Sequence, residues 1–319
     1  MVARILYIST PEFGIPSLQL LARDPRFQVV GVVTQPDKPA GRGLRLTPPP
    51  IKAAALALDL PLLQPASLSD PGVQAAIAAL APDVAAVAAY GQWIPAEVFN
   101  LPPKRSLNLH PSLLPRHRGA APVPGALLAG DEEVGLSVLF VEEEMDVGDL
   151  LAQMAVPVGE EDTAGSLMAR LAHLGAPFFV EALARWVAGD IEPQPQDHTL
   201  ATWIGRMPKS EGLVDWSRPA VEIARACRAF SPWPGTFTFY GGKRLLIHRA
   251  APLDAALPPG AVPGTVLCHG PGLAVVTGNG LLRLDRIQLE GRRILDAMDL
   301  ARGQQELAGA VLCGPEPGA

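Results

Sequence analysis

Strand-length apolar runs alternate with segments of helical spacing through the first part of the chain. Three runs are nearly continuous in apolar residues and have the length of strands buried on both faces: Arg4–Ser9, Phe27–Thr34 and Val84–Ala89. Between them, apolar residues recur at helical spacing, which predicts helices over Ile15–Arg23, Ile51–Leu58 and Pro71–Leu80. The alternation predicts an α/β fold: a doubly wound, Rossmann-like domain with a mostly parallel sheet.

The same alternation continues to residue 189. A short strand is predicted at Ser106–His110, and it is followed by a helix, two paired strands and a long helix, over Pro124–Ala129, Leu136–Val141, Leu150–Val156 and Thr163–Trp186. The next stretch, 190–206, is rich in Pro, Gln, Asp and His, which is typical of a linker. We therefore expect residues 1–189 to form the first domain.

A different pattern fills residues 207–319. One amphipathic helix, Ala220–Phe230, precedes short strands with glycine turns between them, at Gly235–Tyr240, Arg244–Ala250, Thr265–His269, Leu273–Thr277 and Leu281–Leu289. Short strands of this kind predict a small OB-like β-barrel as the second domain. OB-like barrels often bind nucleic acid, although the fold alone does not establish that function.

Candidate chemistry lies where the Ser106–His110 strand ends. Alternation along that strand puts Asn108 and His110 on the same face, at the sheet edge where α/β proteins form their sites. An amide N–H and an imidazolium together suit the oxyanion of an acyl transfer, and a nearby carboxylate orients the imidazole. Asp146 is the candidate carboxylate. Asp149 is its rival, although a turn role after Gly148 is favoured for it.

Composition narrows the class of protein. The 319 residues are 48% hydrophobic and carry a net charge of −6, which argues against a general nucleic-acid binder. We expect no membrane span, since no apolar run reaches about 18 residues. The N-terminus shows no signal core, so the cytoplasm is the expected location. The three cysteines and the histidines lack zinc-ligand spacing, so no metal is expected, and the missing Gly-x-Gly-x-x-Gly disfavours a dinucleotide.

Several long, ordered motifs carry a family resemblance. They are Asn108-x-His110-x-Ser112-x-x-Pro115-x-x-x-Gly119, Asp146-x-Gly148-Asp149, Thr34–Gly43, Arg116–Pro122, and Ile204–Trp216 together with Arg228–Pro234. Over nearly its full length the chain resembles the methionyl-tRNA formyltransferases, which belong to the formyltransferases that use 10-formyltetrahydrofolate. One departure is Ser9, where the family usually has glycine before Thr10-Pro11.

The resemblance implies a reaction and its residues. The family moves a formyl group from 10-formyltetrahydrofolate to the α-amino group of methionine on initiator tRNA, and we expect a monomer. Carried over by motif, the catalytic residues are Asn108, His110 and Asp146. The folate would be bound by Ser112, Leu113, Leu114 and Pro115, with Tyr90, Gly91 and Ile94 nearby.

The family's tRNA-contacting loop corresponds to residues 35–50. Here that loop carries Lys38, Arg42 and Arg45 on a segment rich in Pro and Gly. A connection of this length is usually functional, and the planar arginine side chain suits phosphate. We therefore predict that these three residues bind tRNA, the alternative being a solvated surface loop.

Two other function classes compete with this interpretation. One is a formyltransferase that acts on glycinamide ribonucleotide or an amino sugar, against which the second domain and the Pro/Arg loop argue. The other is a non-catalytic RNA-binding protein on an enzyme scaffold, against which the intact set of Asn108, His110 and Asp146 argues.

Overall fold

The computed structural model describes residues 2–40 and 45–314, apart from the side chains of Ala40 and Gln305. The chain divides into two compact units. The first comprises Met1–Pro122, Glu133–Pro157 and Leu167–Gly205, and the second Val123–Glu132, Val158–Ser166 and Arg206–Ala319. Residues 190–205, which the sequence marks as a linker, thus lie in the first unit. The predicted division into 1–189, 190–206 and 207–319 stays a proposal about which segment carries which function.

The first 205 residues contain short strands and helices in alternation. The strands are β1 (Ala3–Ser9), β2 (Phe27–Val33), β3 (Lys38–Ala40), β4 (Arg45–Thr47), β5 (Leu62–Leu63), β6 (Val84–Ala88), β7 (Ser106–His110), β8 (Arg118–Gly119), β9 (Glu133–Phe140), β10 (Leu150–Pro157) and β11 (Trp203–Ile204). The helices are α1 (Ile15–Leu21), α2 (Pro50–Ala57), α3 (Pro71–Ala79), α4 (Ala96–Phe99), α5 (Pro122–Ala129) and α6 (Ala164–Ala188).

A seven-stranded sheet of described residues forms the core of the first unit, in the order β10-β9-β7-β6-β1-β2-β5. The five strands from β7 to β5 run parallel, whereas β9 and β10 add to the edge antiparallel. Every residue of β6 is buried, as expected for a central parallel strand covered on both faces. Because β6 and β7 are parallel neighbours, the residues that follow them lie at the same sheet edge. This confirms the predicted Rossmann-like domain.

The second unit contains most of α5, an antiparallel sheet and two further helices. The elements after residue 206 are α7 (Ala220–Ala229), β12 (Thr236–Tyr240), β13 (Lys243–Leu253), β14 (Val266–His269), β15 (Gly272–Val276), β16 (Leu281–Leu289), β17 (Leu295–Asp296) and α8 (Ala297–Gly303). The strand order is β12-β13-β16-β15-β14, with β17 on β16. Extended residues near the C-terminus bond to both edge strands: Val266 N donates to Ala310 O (2.8 Å) and Phe239 N to Cys313 O (3.1 Å). They link the two edges, as a barrel requires.

Several elements were not predicted, among them the β3–β4 hairpin, the β8–β11 pair and helix α8. The β3–β4 hairpin lies inside the predicted loop at 35–50, and its second strand is exposed at every position, so no apolar alternation marks it. The β8–β11 pair is too short for any period to show. Helix α8 follows the last predicted strand.

Helix α6 is the one described helix long and apolar enough to cross a membrane, judged by length and composition alone. Half of its most apolar window is buried inside the protein. The core helices of soluble proteins meet the same criterion, so this feature is weak support for a span.

Candidate active site

Strand β7 and the loop between β9 and β10 bring the three predicted catalytic residues together. Asn108 and His110 lie two positions apart on β7, and Asp146 lies in the loop. His110 Nδ1 is 3.4 Å from Asp146 Oδ1, and Asn108 Nδ2 is 3.5 Å from the same oxygen. The side chains of His110 and Asp146 are 6% and 7% exposed. Two N–H donors and a carboxylate thus converge in a nearly dry environment, where electrostatic interactions are strong.

Both ring nitrogens of His110 lie beside oxygen acceptors. Its Nε2 donates to the carbonyl of His117 at 3.1 Å, and a carbonyl can only accept. Its Nδ1 faces the carboxylate of Asp146, which also accepts. The ring is therefore held between the His117 carbonyl and the Asp146 carboxylate.

Two glycines of the motifs allow the loops to approach closely. Gly119 has a φ of +106° and its N–H donates to Asp146 Oδ2 at 2.9 Å. A Cβ at Gly119 would lie 2.4 Å from the carbonyl oxygen of Ile204. At Gly148 a Cβ would lie 2.1 Å from the carbonyl oxygen of Phe140. Glycine is therefore required at both positions for the Asp146 loop to pack as it does.

The distances within the trio of Asn108, His110 and Asp146 leave hydrogen-bonding capacity for a substrate. Both donor–acceptor distances to Asp146 Oδ1 exceed those of an ordinary N–H···O bond, about 2.7–3.2 Å. The donors of Asn108 and His110 are consequently only weakly engaged by the protein. Fixed donors of this kind stabilise the negative oxygen that forms when a nucleophile adds to a carbonyl.

The turn predicted to bind folate is fastened to the sheet. Ser112 Oγ donates to the carbonyl of Arg116 at 2.8 Å. Ser137 Oγ on β9 donates to the Ser112 carbonyl at 2.7 Å and accepts from the N–H of Leu114 at 3.1 Å. Ser112 and Leu114 are buried, whereas Leu113 and Pro115 are half-buried. A Cβ on Gly135 of β9 would lie 2.4 Å from the side chain of Leu113, which therefore packs on that strand.

The second group of predicted folate residues follows β6. Tyr90 is buried, and its hydroxyl has no hydrogen-bond partner among the described residues. Burial raises the pKa of Tyr90 to about 12. Its carbonyl accepts from Gln35 Nε2 at 2.7 Å. Gly91 is exposed with a φ of +77°, and Ile94 is half-buried against the core beneath.

A cleft of about 460 Å³ opens beside the Asp146 loop. Its walls come from α4, from the β9–β10 loop and from the segment after α6, and they consist of Phe99, Asn100, Glu142, Glu143, Glu144, Val147, Gly148, Asp149 and His198. These are not the residues that the resemblance assigns to folate. The acidic run Glu142–Glu144 precedes Asp146 in the sequence, and nothing in the sequence pointed to Asn100 or His198.

Two of the three predicted tRNA-binding cations, Lys38 and Arg45, lie on the β3–β4 hairpin. Lys38 and Arg45 are exposed, and Lys38 Nζ donates to Gln35 Oε1. Arg42 lies at 41–44, outside the described residues.

The base of the hairpin is fastened through Asp37. Lys52 Nζ lies 2.8 Å from Asp37 Oδ2, and Gln64 Nε2 donates to Asp37 Oδ1 at 2.8 Å. The bonds from Lys52 and Gln64 lower the pKa of the Asp37 carboxyl. The hairpin is therefore held at its base, while Lys38 and Arg45 face solvent.

The sequence analysis did not predict a buried polar network that joins Arg118, Gln196 and His198. Arg118 NH2 donates to Gln196 Oε1 at 2.7 Å and lies 3.0 Å from His198 Nδ1. Burial lowers the pKa of the Arg118 guanidinium, while the charges of Asp146 and Glu144 act in the opposite direction.

Within residues 2–40 and 45–314, no three His, Cys, Asp or Glu side chains are grouped as metal ligands would be.

Comparison with known proteins gives the family. The "Formyl transferase" model matches residues 6–183, and the "Formyl transferase, C-terminal domain" model matches residues 206–305. A methionyl-tRNA formyltransferase of Roseiflexus castenholzii is 45% identical over 314 residues, 98% of this chain and 100% of its own.

Solved structures agree on the fold. WlaRD, a sugar 3N-formyl transferase determined in the presence of dTDP and 5-N-formyl-THF, superimposes with a TM-score of 0.65 at 14% identity. The match covers 92% of this chain and 100% of WlaRD. HypX from Aquifex aeolicus, in complex with tetrahydrofolic acid, gives 0.60 at 20% identity; the match covers 96% of this chain but only 48% of HypX. The two family models and the long match to the Roseiflexus enzyme show that this chain belongs to the methionyl-tRNA formyltransferases.

Proposed function

We propose that the protein transfers a formyl group from 10-formyltetrahydrofolate to the α-amino group of methionine on initiator methionyl-tRNA. The observation that carries this proposal is the convergence of Asn108 Nδ2 and His110 Nδ1 on one oxygen of Asp146, at 3.5 and 3.4 Å. The acceptor follows from the name of the relatives that match over the whole chain. We further propose that the enzyme is a cytoplasmic monomer and uses no metal.

The reaction forms one C–N bond and breaks another. The neutral α-amine attacks the formyl carbon; with an ordinary pKa of about 7.7–8.0, part of the amine is neutral at pH 7. The formyl oxygen becomes an oxyanion that accepts hydrogen bonds from Asn108 and His110. Collapse of the intermediate breaks the bond between the formyl carbon and N10 of the folate. The amine loses one proton and N10 gains one, so atoms and charge balance.

Asp146 has two roles in this scheme. It keeps His110 oriented, because its carboxylate faces Nδ1 of the ring. Through a water molecule it also takes the proton that the attacking amine releases. The N–H of Gly119 fixes the other carboxylate oxygen and so aims the first at the donors.

The folate is proposed to bind along the sheet edge beside this trio. The cleft next to Val147 and Gly148 is lined by carboxylates that can accept from the amino and N–H groups of a pterin ring. The buried Tyr90 hydroxyl is a further polar group that lacks a partner among the described residues. HypX, which shares the fold, is described in complex with tetrahydrofolic acid.

The acceptor is the point to test. Purified protein would be given radiolabelled 10-formyltetrahydrofolate with methionyl initiator tRNA, and in parallel with a dTDP-linked amino sugar. We expect formyl-methionyl-tRNA and no labelled sugar. Transfer to the sugar alone would replace the proposed acceptor while leaving the formyltransferase chemistry in place.

A further inference from the structure

A glutamine from the segment that resembles a linker contacts the loop that carries Asp146. Gln196 is buried, and its Nε2 donates to the carbonyl of Asp146 at 2.9 Å and to that of Gly148 at 2.7 Å. Its Oε1 accepts from Arg118 at 2.7 Å. A guanidinium only donates and a carbonyl only accepts, so the carboxamide can face in one direction only. Both of its hydrogens and its oxygen are used.

Asp146 needs such a support because of its backbone. Its φ of +58° lies in the left-handed region, which a non-glycine residue adopts only at a cost. Conformations of this kind persist when the surrounding structure holds them. Gln196 bonds directly to the carbonyl of the strained residue and to the carbonyl two positions later.

The segment that contains Gln196 also pairs with β8, whose Gly119 bonds to Asp146. Strand β11 pairs with β8: Arg118 N donates to Thr202 O at 2.9 Å and Ala120 N to Ile204 O at 3.0 Å. Between these bonds, the N–H of Gly119 is directed at the Asp146 carboxylate.

The histidine is held through the same segment. Thr202 Oγ1 accepts from the N–H of His117 at 2.8 Å, and the carbonyl of His117 takes the Nε2 proton of His110. Residues 196–204 therefore support both the carboxylate and the imidazole.

We propose that Gln196 is a positioning residue of the formyl-transfer site, which fixes the Asp146 carboxylate against His110 and Asn108 by holding the carbonyls of Asp146 and Gly148. The proposal rests on the proposed function. It gives the segment after α6 a part in catalysis, in addition to connecting the two domains.

Two substitutions of Gln196 distinguish its role as a hydrogen-bond donor from its role in packing. Gln196→Leu removes every hydrogen bond of the side chain, whereas Gln196→Glu keeps an acceptor for Arg118 but turns a carboxylate toward two carbonyls. The matched control is Gln194→Leu, since the Gln194 side chain is exposed and its backbone pairs with Leu150.

Both Gln196 variants should lower kcat by at least about tenfold, because a misplacement of about 1 Å can cost up to about 10²-fold. KM for the tRNA should stay within about twofold, and Gln194→Leu should behave as wild type. A normal kcat in Gln196→Glu, which retains a polar side chain of the same size, would overturn the proposal. A rise in KM at constant kcat would also overturn it.

A double-mutant cycle tests whether Gln196 acts through Asp146. In an Asp146→Asn background, which already lacks the carboxylate, Gln196→Leu should change kcat by less than about twofold. The same loss in both backgrounds would show that Gln196 supports the fold generally, and would overturn the proposal.

A readout without activity separates this proposal from the proposed function. Amide hydrogen exchange at Gly119 should be faster in Gln196→Leu than in wild type and unchanged in Gln194→Leu, because the Asp146 acceptor is no longer held. Unchanged exchange would overturn the proposal even if the enzyme is active. A wild type that fails to formylate methionyl-tRNA would instead overturn the proposed function, and the exchange result would still decide the role of Gln196.

Discussion

At the scale of single residues, the site combines two weakly engaged N–H donors with one carboxylate. Alternation along β7 was sufficient to predict that Asn108 and His110 share a face. Asp146 follows only after another strand, so the residues proposed it with Asp149 as a rival, and turn chemistry and the family resemblance favoured Asp146. Gln196 gave no signal, because a polar residue in a segment rich in Pro and Gln is indistinguishable from a solvated one until its partners are known.

His110→Ala should lower turnover by at least about 10²-fold, because it removes a donor from the developing oxyanion. Binding of tRNA should be retained, since the ring is buried and contacts Asp146 and His117. Steady-state formylation and a filter-binding assay measure the two quantities. His173→Ala, at an exposed histidine of α6, is the control. A variant within about threefold of wild type would remove His110 from catalysis.

Gly119→Ala should reduce both stability and kcat. The added Cβ meets the Ile204 carbonyl, and a side chain at a φ of +106° costs of order 1–3 kcal/mol. Thermal unfolding and initial rates report the two effects. Gly205→Ala is the matched control, because nothing lies within 4 Å of its added Cβ. Equal melting temperatures for the two variants would contradict the close approach of Gly119 to β11.

At the scale of elements, the hairpin β3–β4 shows where sequence patterns stop being informative. Its position and its cations were predicted as a functional loop, but its pairing was not, since β4 is exposed at every position and carries no apolar period. The longer strands β1, β2 and β6 were predicted within a residue or two because burial on both faces makes them continuously apolar.

Arg45→Ala should raise KM for tRNA and reduce the dependence of binding on salt. Each phosphate contact that is lost lowers the slope of log K against log salt by about 0.7–0.9. Arg23→Ala is the control, since Arg23 is exposed just after α1, near the start of β2 and away from the carboxyl edge of the sheet. Titrations from low to moderate salt give both slopes. Equal slopes for Arg45→Ala and wild type would show that the hairpin is an ordinary surface loop and not a tRNA-binding one.

The reactivity of the Cys227 thiol reports on the packing of the core of the second unit. The thiol lies on α7 among the buried side chains of the barrel, and burial raises its pKa to about 12. It should remain a protonated thiol at about pH 8 and resist a thiol reagent, whereas the exposed Cys268 and Cys313 react. An unfolded thiol ionises near pH 8.5, so this group removes stability as the pH rises from there towards 12. Three equally fast thiols in the native protein would contradict the packing of α7.

At the scale of the whole molecule, periodicity predicted the two fold classes but not which segments fold with which unit. Val123–Glu132 and Val158–Ser166 belong to the second unit although they lie inside the first part of the sequence. Which unit a segment belongs to depends on contacts between residues far apart in the sequence. Local hydrophobic patterns carry no information on such contacts. A truncation after residue 206 would leave both segments without the rest of their unit, so point substitutions are the better tests of each half.

The measurement that tests the reaction and the site together is formyl transfer from 10-formyltetrahydrofolate to methionyl initiator tRNA, with wild type and Asp146→Asn compared in single turnover. Asparagine keeps the size of the side chain but removes the charge that faces His110. We expect rapid formylation by wild type and a rate at least about 10²-fold lower in the variant, at similar tRNA affinity. No transfer by wild type, or equal rates for the two proteins, would contradict the mechanism proposed for this site.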